Sequence, residues 1–285
     1  MTTAAAASAA PARTRAVPDV PRRPGLPGTL RSELTKIRSV RSTYWTLLAQ
    51  AVVSVAWAVV ASAGNSSHWS HESAASRANF NAASASLAGQ VVLGELIIVV
   101  LGALVITSEY STGMIRTTLA VMPRRGVVYA AKAIVFAAVS LAISLVTSFA
   151  AFFAGQAILS SKHINATLGQ PGVLRAVLLS AAIVPVFGLL AYGTGAVIRH
   201  TAGAITAVLG AIFLIPALAQ ALPSSWFYDL VRWLPGAEAL EPITRSTPPL
   251  SVGHLFSAWG EFAVFGGYAV VLLAVGGWLF MHRDA

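Results

Sequence analysis

The sequence predicts an all-α membrane protein, a six-span transmembrane helical bundle preceded by an amphipathic interfacial helix. Three observations lead there. Only 10% of the 285 residues are charged and 56% are hydrophobic, whereas an ordinary soluble domain carries roughly 25% charged residues. The mean hydropathy is +0.73. The apolar residues also fall into blocks of about twenty, the length that crosses about 30 Å of hydrocarbon at 1.5 Å per helical residue. Such blocks must be helices, because a strand at that depth would alternate polar and apolar residues.

Along the chain, residues 1–28 form an Ala, Pro and Arg-rich tail with no apolar run, predicted to be disordered. The segment 29–43 comes next. Leu30, Leu34, Ile37 and Val40 recur at spacings of four, three and three, with Arg31, Lys36, Arg38 and Arg41 on the other faces. That pattern predicts a helix lying along the headgroups. Tyr44 and Trp45 then mark the membrane boundary. The remaining body, 44–285, holds predicted spans at 44–63, 87–107, 130–158, 173–198, 201–222 and 259–281.

The net charge of +9 is carried by residues flanking these blocks, so it points to anionic lipid and to orientation rather than to nucleic acid. With the N-terminus inside, fourteen Lys and Arg fall on the cytoplasmic side and five on the other. The expectation is therefore a multi-pass protein of the cell membrane with both termini cytoplasmic. The chain has no cysteine, which excludes disulfides and thiolate metal sites.

The chemistry-bearing candidates are few. No Gly-Lys pair occurs, so there is no phosphate loop for ATP, and the patterns of zinc and serine hydrolases are absent as well. The run His68, His71, Glu72 reads as a solvated loop rather than a metal site. Neither a catalytic residue nor a cofactor is predicted. Ser140, Ser144, Thr147, Ala151 and Gly155 form a small, polar stripe suited to close helix approach or, at Ser140 and Ser144, to a substrate path. Pro185 and Pro216 should kink the fourth and fifth spans.

Glu95 lies within the second apolar block and shares a seven-residue spacing with Ala88 and Gly102. A carboxyl at that depth faces protein or water, as a gate, a path lining or a hydrogen-bonded packing group. Glu261, near the outer end of the sixth span, reads as interfacial. Few charges and many small residues suggest an apolar interior, suited to a hydrophobic drug or lipid better than to a sugar.

The segment from Ser108 to Gly126 is too patterned for a plain turn. Met114, Ile115, Leu119 and Met122 are apolar at helical spacing, and Glu109, Arg116, Arg124 and Arg125 are charged. A short helix parallel to the membrane is expected, as a docking surface or as an interfacial connector.

Four stretches together resemble actinobacterial permeases of the ABC-2 type: Ser32 to Thr46, Glu109 to Thr118 with Pro123 to Gly126, Arg199 to Gly203, and the terminal Arg283 to Ala285. The resemblance covers residues 29–285. It implies a bundle that pairs with a second permease copy, as a homodimer or heterodimer, on two cytosolic ATPase subunits that bind the ATP. It further implies a coupling element made by Glu109, Tyr110, Ser111, Thr112, Gly113, Met114, Arg116 and Thr117, with Arg124 and Arg125 at its exit. Glu33, Lys36, Arg38 and Arg41 would belong to the connecting helix. Trp226, Phe227, Tyr228 and Trp233 would belong to re-entrant extracellular helices or to an ordinary aromatic belt. Export is the direction the family suggests. Two other readings accompany it: an ion-driven secondary transporter using Glu95, and a membrane assembly protein that transports nothing.

Overall fold

The structure is a computed structural model that describes residues 25–115, 124–221, 240–247 and 256–283. Within them no strand occurs and six helices are long and apolar enough to cross a membrane. The predicted tail up to residue 24, the part of the expected connector with Arg116, Thr117, Leu119 and Met122, and the aromatic segment with Trp226, Phe227, Tyr228 and Trp233 lie outside the described residues.

The interfacial helix is Leu26–Ser39. It starts earlier than the composition suggested because Pro27 sits in its first turn, where a missing N–H costs nothing. At Val40 the backbone turns extended, φ −83° and ψ 106°, which separates this helix from the first span, Arg41–His68. The face it turns to the bundle is polar rather than apolar. Thr29 and Glu33 are buried, while Leu26 and Leu34 are exposed, free to meet lipid.

The first span has the same inversion. Thr43, Gln50, Ser54, Ser62 and Ser66 are buried along one stripe with Leu47 and Ala58, and Val52, Val53, Trp57 and Val60 are exposed. In hydrocarbon the apolar side chains have nothing to gain by leaving lipid, so polar and small residues take the helix contacts. The apolar interior expected from the sequence is found around the fourth span, where Ile98, Val99, Ile183, Val184, Phe187 and Phe265 cluster, while the first span adds a polar stripe to it.

The second span consists of Ala82–Gly89, a π turn Gln90–Gly94, and Glu95–Ser111. The π turn places an extra residue between Ala88 and Glu95, so the seven-residue spacing no longer sets them on one face. Ala88 is half-buried, and only Gly102 keeps its relation to Glu95. The third span is a single 35-residue helix, Arg125–Leu159. At 1.5 Å per residue it is about 52 Å long. It starts earlier than predicted and takes in Arg125 and Gly126, the last two residues of the expected connector. Its predicted stripe of Ser140, Ser144, Thr147, Ala151 and Gly155 is buried throughout.

The fourth span, Val173–Ile198, is the centre of the bundle, with 67% of its most apolar stretch buried, against 17% for the fifth. Close approach explains this. A side chain at Gly102 would overlap the Gly188 carbonyl, and one at Gly276 would come within 2.8 Å of the Gly193 carbonyl. The second and sixth spans thus cross the fourth at backbone contact. The helix runs continuously through Pro185.

The fifth span is Thr201–Leu209, a second π turn Gly210–Leu214, and Ile215–Ala221. Here the π turn directly precedes Pro216, whose ring cannot fit against an undisturbed α turn. The sixth span, Ala258–His282, is capped by the Ser257 hydroxyl, which accepts from Gly260 N at 3.3 Å. Glu261 is buried in its first turn, where the helix dipole favours a carboxylate.

Candidate functional site

The end of the bundle that carries the interfacial helix gathers four charges from three elements. Glu33 and Lys36 come from one face of the interfacial helix, one turn apart. Glu109 comes from the last turn of the second span, and Lys132 from the extended start of the third. Lys132 Nζ donates to Glu33 Oε2 at 2.7 Å and to Glu109 Oε1 at 2.7 Å. Lys36 Nζ donates to Glu33 Oε1 at 2.7 Å and to Glu109 Oε1 at 3.3 Å. Three of the four side chains are enclosed, exposed by only 5 to 8%, and Lys36 is 34% exposed.

The cluster is neutral, two plus and two minus, which is how enclosed charge is tolerated. Desolvating such ions costs several kcal/mol each, offset only by short contacts and full hydrogen bonding. Burial by itself pushes the Glu33 carboxyl up, but Lys132 and Lys36 outweigh it and hold the group below its ordinary value. Burial likewise pulls the Lys36 ammonium down, and bonds to Glu33 and attraction from Glu109 more than reverse that, leaving it raised.

Beside the ions lies an aromatic floor. Tyr129, Tyr192 and Phe280 pack with Ile106 and Ile115. Tyr192 Oη donates to the Tyr129 carbonyl at 3.0 Å, and Tyr129 Oη to the Leu273 carbonyl at 3.1 Å. The Arg199 guanidinium stands over the Tyr110 ring at 5.0 Å. Arg125 Nη1 donates to the Arg283 carbonyl at 2.8 Å, tying the third span to the end of the sixth.

Over this base the second span ends in an exposed turn. Thr112 N donates to Ser108 O at 3.1 Å, and Gly113 takes a left-handed φ of 68° that stops the helix. Ser111, Thr112, Gly113 and Met114 are exposed, and Ile115 folds back into the aromatic cluster. Arg38, Arg41 and Arg124 are exposed around the rim.

The sequence-derived candidates thus divide. Ser111 to Met114, Arg38, Arg41 and Arg124 are presented outward, whereas Glu109 and Glu33 are turned inward and engaged with lysines. Glu109, expected in the coupling element, is buried and engaged with Lys36 and Lys132. Lys132 was not singled out from sequence. Its signal was available: the chain has three lysines, and two of them stand in this cluster. Glu95, Ser140 and Ser144 form no part of it; they lie buried midway along their spans.

No curated protein matches the sequence. The family model described as ABC-2 family transporter protein matches residues 29–217, from the interfacial helix through the fifth span. That range contains every residue of the ion cluster and the exposed turn. The chain, an integral membrane protein with six apolar helices, therefore belongs to the ABC-2 family of transporter proteins and is an ABC transporter permease.

Proposed function

We propose that this permease is the membrane half of an ATP-driven exporter, working as a pair of permease subunits on separate cytosolic ATPases that dock at the end bearing the ion cluster. The observation that carries this reading is the ion cluster itself. Lys132 and Lys36 bind the interfacial helix, the end of the second span and the start of the third into one unit, directly beneath the exposed Ser111 to Met114 turn. A push on that turn reaches the second span through its own backbone, and reaches the third span and the interfacial helix through Glu109. Movement of the ATPase would thus become a concerted displacement of three elements rather than the bending of one loop. The equilibrium between inward- and outward-open states shifts only if ATPase contacts differ between them.

Orientation fits the same reading. Arg31, Arg38, Arg41 and Arg124 are exposed at this end, which the positive-inside tendency assigns to the cytoplasm of the cell membrane, with both termini. The test is affinity purification of the tagged full chain from its native membranes in mild detergent. A stoichiometric ATPase should stay bound to the wild type and be lost from Thr112→Arg or Met114→Asp, whose changes fall outside the bundle core. Absence of any ATPase from an intact permease would sink the reading in favour of an ion-driven or non-transporting protein.

A further inference from the structure

A second polar layer lies midway through the bundle, away from the ion cluster, and the ATP-driven reading makes no use of it. Four spans contribute to it, and three contacts fix their register. Ser148 Oγ on the third span donates to the Val177 carbonyl of the fourth at 2.9 Å. One helical turn further toward the ion-cluster end, these two spans carry Ser144 and Ser180. Gln90 Nε2 on the second span donates to the Ser144 carbonyl at 2.9 Å, which brings the π turn to the same level. At the end of that turn Gly94 faces the first span, where a methyl group would lie 3.0 Å from Ser54 Oγ and 3.2 Å from Gln50 Nε2. Glu95 is the next residue.

All six of these side chains, Gln50, Ser54, Gln90, Glu95, Ser144 and Ser180, are exposed by 1% or less. Seven of their oxygens and one nitrogen have no hydrogen-bond partner among the described residues: Gln50 Oε1, Ser54 Oγ, Gln90 Oε1, both Glu95 carboxyl oxygens, Ser144 Oγ and Ser180 Oγ, with Gln50 Nε2. An unpaired buried polar group costs about 1–3 kcal/mol. Seven in two helical turns are far more than chance packing leaves. The π turn beside them adds to the signal, since such turns concentrate at functional sites.

The chemistry of the layer selects its ligand. It is rich in oxygen, carries one carboxyl, and has no cation at its depth. Among the described spans lysine and arginine occur only as Arg41, Arg125 and Lys132 toward the ion-cluster end and Arg175 toward the other. Protonating Glu95 would remove its charge but leave the two amide carbonyls and the hydroxyl oxygens unmet. A single desolvated monovalent cation answers both needs, as hard cations take oxygen ligands and one charge balances one carboxylate. We propose that Gln50, Ser54, Gln90, Glu95, Ser144 and Ser180 form an intramembrane site for an alkali metal cation, with Glu95 as its counter-charge. By joining the first four spans at mid-depth, the ion would set the stability of one arrangement of the bundle.

The test is the melting temperature of the full chain, with any subunits that co-purify, in nanodiscs at constant ionic strength. Sodium, potassium or lithium chloride replaces N-methyl-D-glucamine chloride in steps. One alkali ion should raise the melting temperature saturably, by about 5 °C at a hundredfold excess over its dissociation constant. Glu95→Gln should abolish that rise and melt at the same temperature in every salt. Should Glu95→Gln fail to fold, Ser54→Ala or Gln50→Ala should shift the midpoint ion concentration upward about tenfold. Binding of radiolabelled sodium or potassium should approach one ion per chain. A wild-type melting temperature indifferent to the cation, or a Glu95→Gln protein with the wild-type response, would overturn the proposal. ATPase retention in the pull-down is unaffected by either result, so the two readings fail separately.

Discussion

The ion cluster at one end of the bundle and the polar layer at its middle solve the same problem in opposite ways. Both bury groups that water would otherwise hold. At the end, two carboxylates and two ammonium groups satisfy one another within 2.7 to 3.3 Å. In the middle, one carboxyl, two amides and three hydroxyls are enclosed with seven oxygens unmet, and only the Gln90 amide nitrogen has a partner, the Ser144 carbonyl. A closed network holds elements together by itself. An open one derives its strength from what enters it. The first is suited to passing force between helices, and the second to sensing what is present.

The comparison breaks most readily at Lys132. Lys132→Met leaves Glu33 and Glu109 enclosed with only the half-exposed Lys36, and should destabilise the permease by about 3–5 kcal/mol, read as a fall in melting temperature. The double variant Lys132→Glu with Glu109→Lys restores that contact's opposite charges and should recover part of the loss. No recovery would mean that other groups set the orientation of the pair.

Acid gives a second, graded break. Glu33 is held below its ordinary value of 4.5 in the folded protein. Its contribution is therefore fully present above pH 4.5 and is lost as the pH falls through the lower folded value. Melting temperature should decline over that acid window more steeply in wild type than in Glu33→Gln. Parallel curves would remove Glu33 from the account. Lys36 has the opposite sign: its raised value keeps its contribution intact up to about its ordinary 10.5 and loses it only above the folded value.

The smallest effects sharpen the other half. In buffer free of alkali cations, Ser144→Ala and Ser180→Ala should lie within about 0.5 kcal/mol of wild type or slightly above it, since neither hydroxyl has a partner to lose. Gln156 is the control, because its amide donates to Ser86 Oγ at 2.8 Å and accepts from Ala166 N at 2.7 Å. Gln156→Leu should cost about 1–3 kcal/mol. Equal losses at all three positions would erase the distinction between paired and unpaired layers.

Much of this fold could be read from hydropathy. Six spans, their order, the interfacial helix and the buried stripe at Ser140 to Gly155 all follow from long apolar runs and from helical spacing. Other features rest on long-range relations that one sequence does not expose. Glu109 looked like a surface residue because its lysine partners are 23 and 73 positions away. Glu95 is buried among helices as its depth suggested, but Ala88 leaves its face for a local reason: a π turn inserts a residue into the count, and Gln90 to Gly94 carries no composition that announces it. Polarity inside the first span was visible as Gln50, Ser54, Ser62 and Ser66. Reading it as the inward face required treating lipid, not protein, as the home of the valines.

That face has a consequence for biosynthesis. The first span is the least apolar of the six, with a mean hydropathy of 1.8 against 2.0 to 2.5 for the others. The side it must bury bears Gln50, Ser54, Ser62 and Ser66, whose neighbours on the second and third spans have not yet emerged when it reaches the membrane. A nascent helix of this kind sits poorly alone among acyl chains. Its polar side is covered only when Ser86, Gly94 and Gly155 arrive, so the packing of the first span is completed once about half the polypeptide has been made.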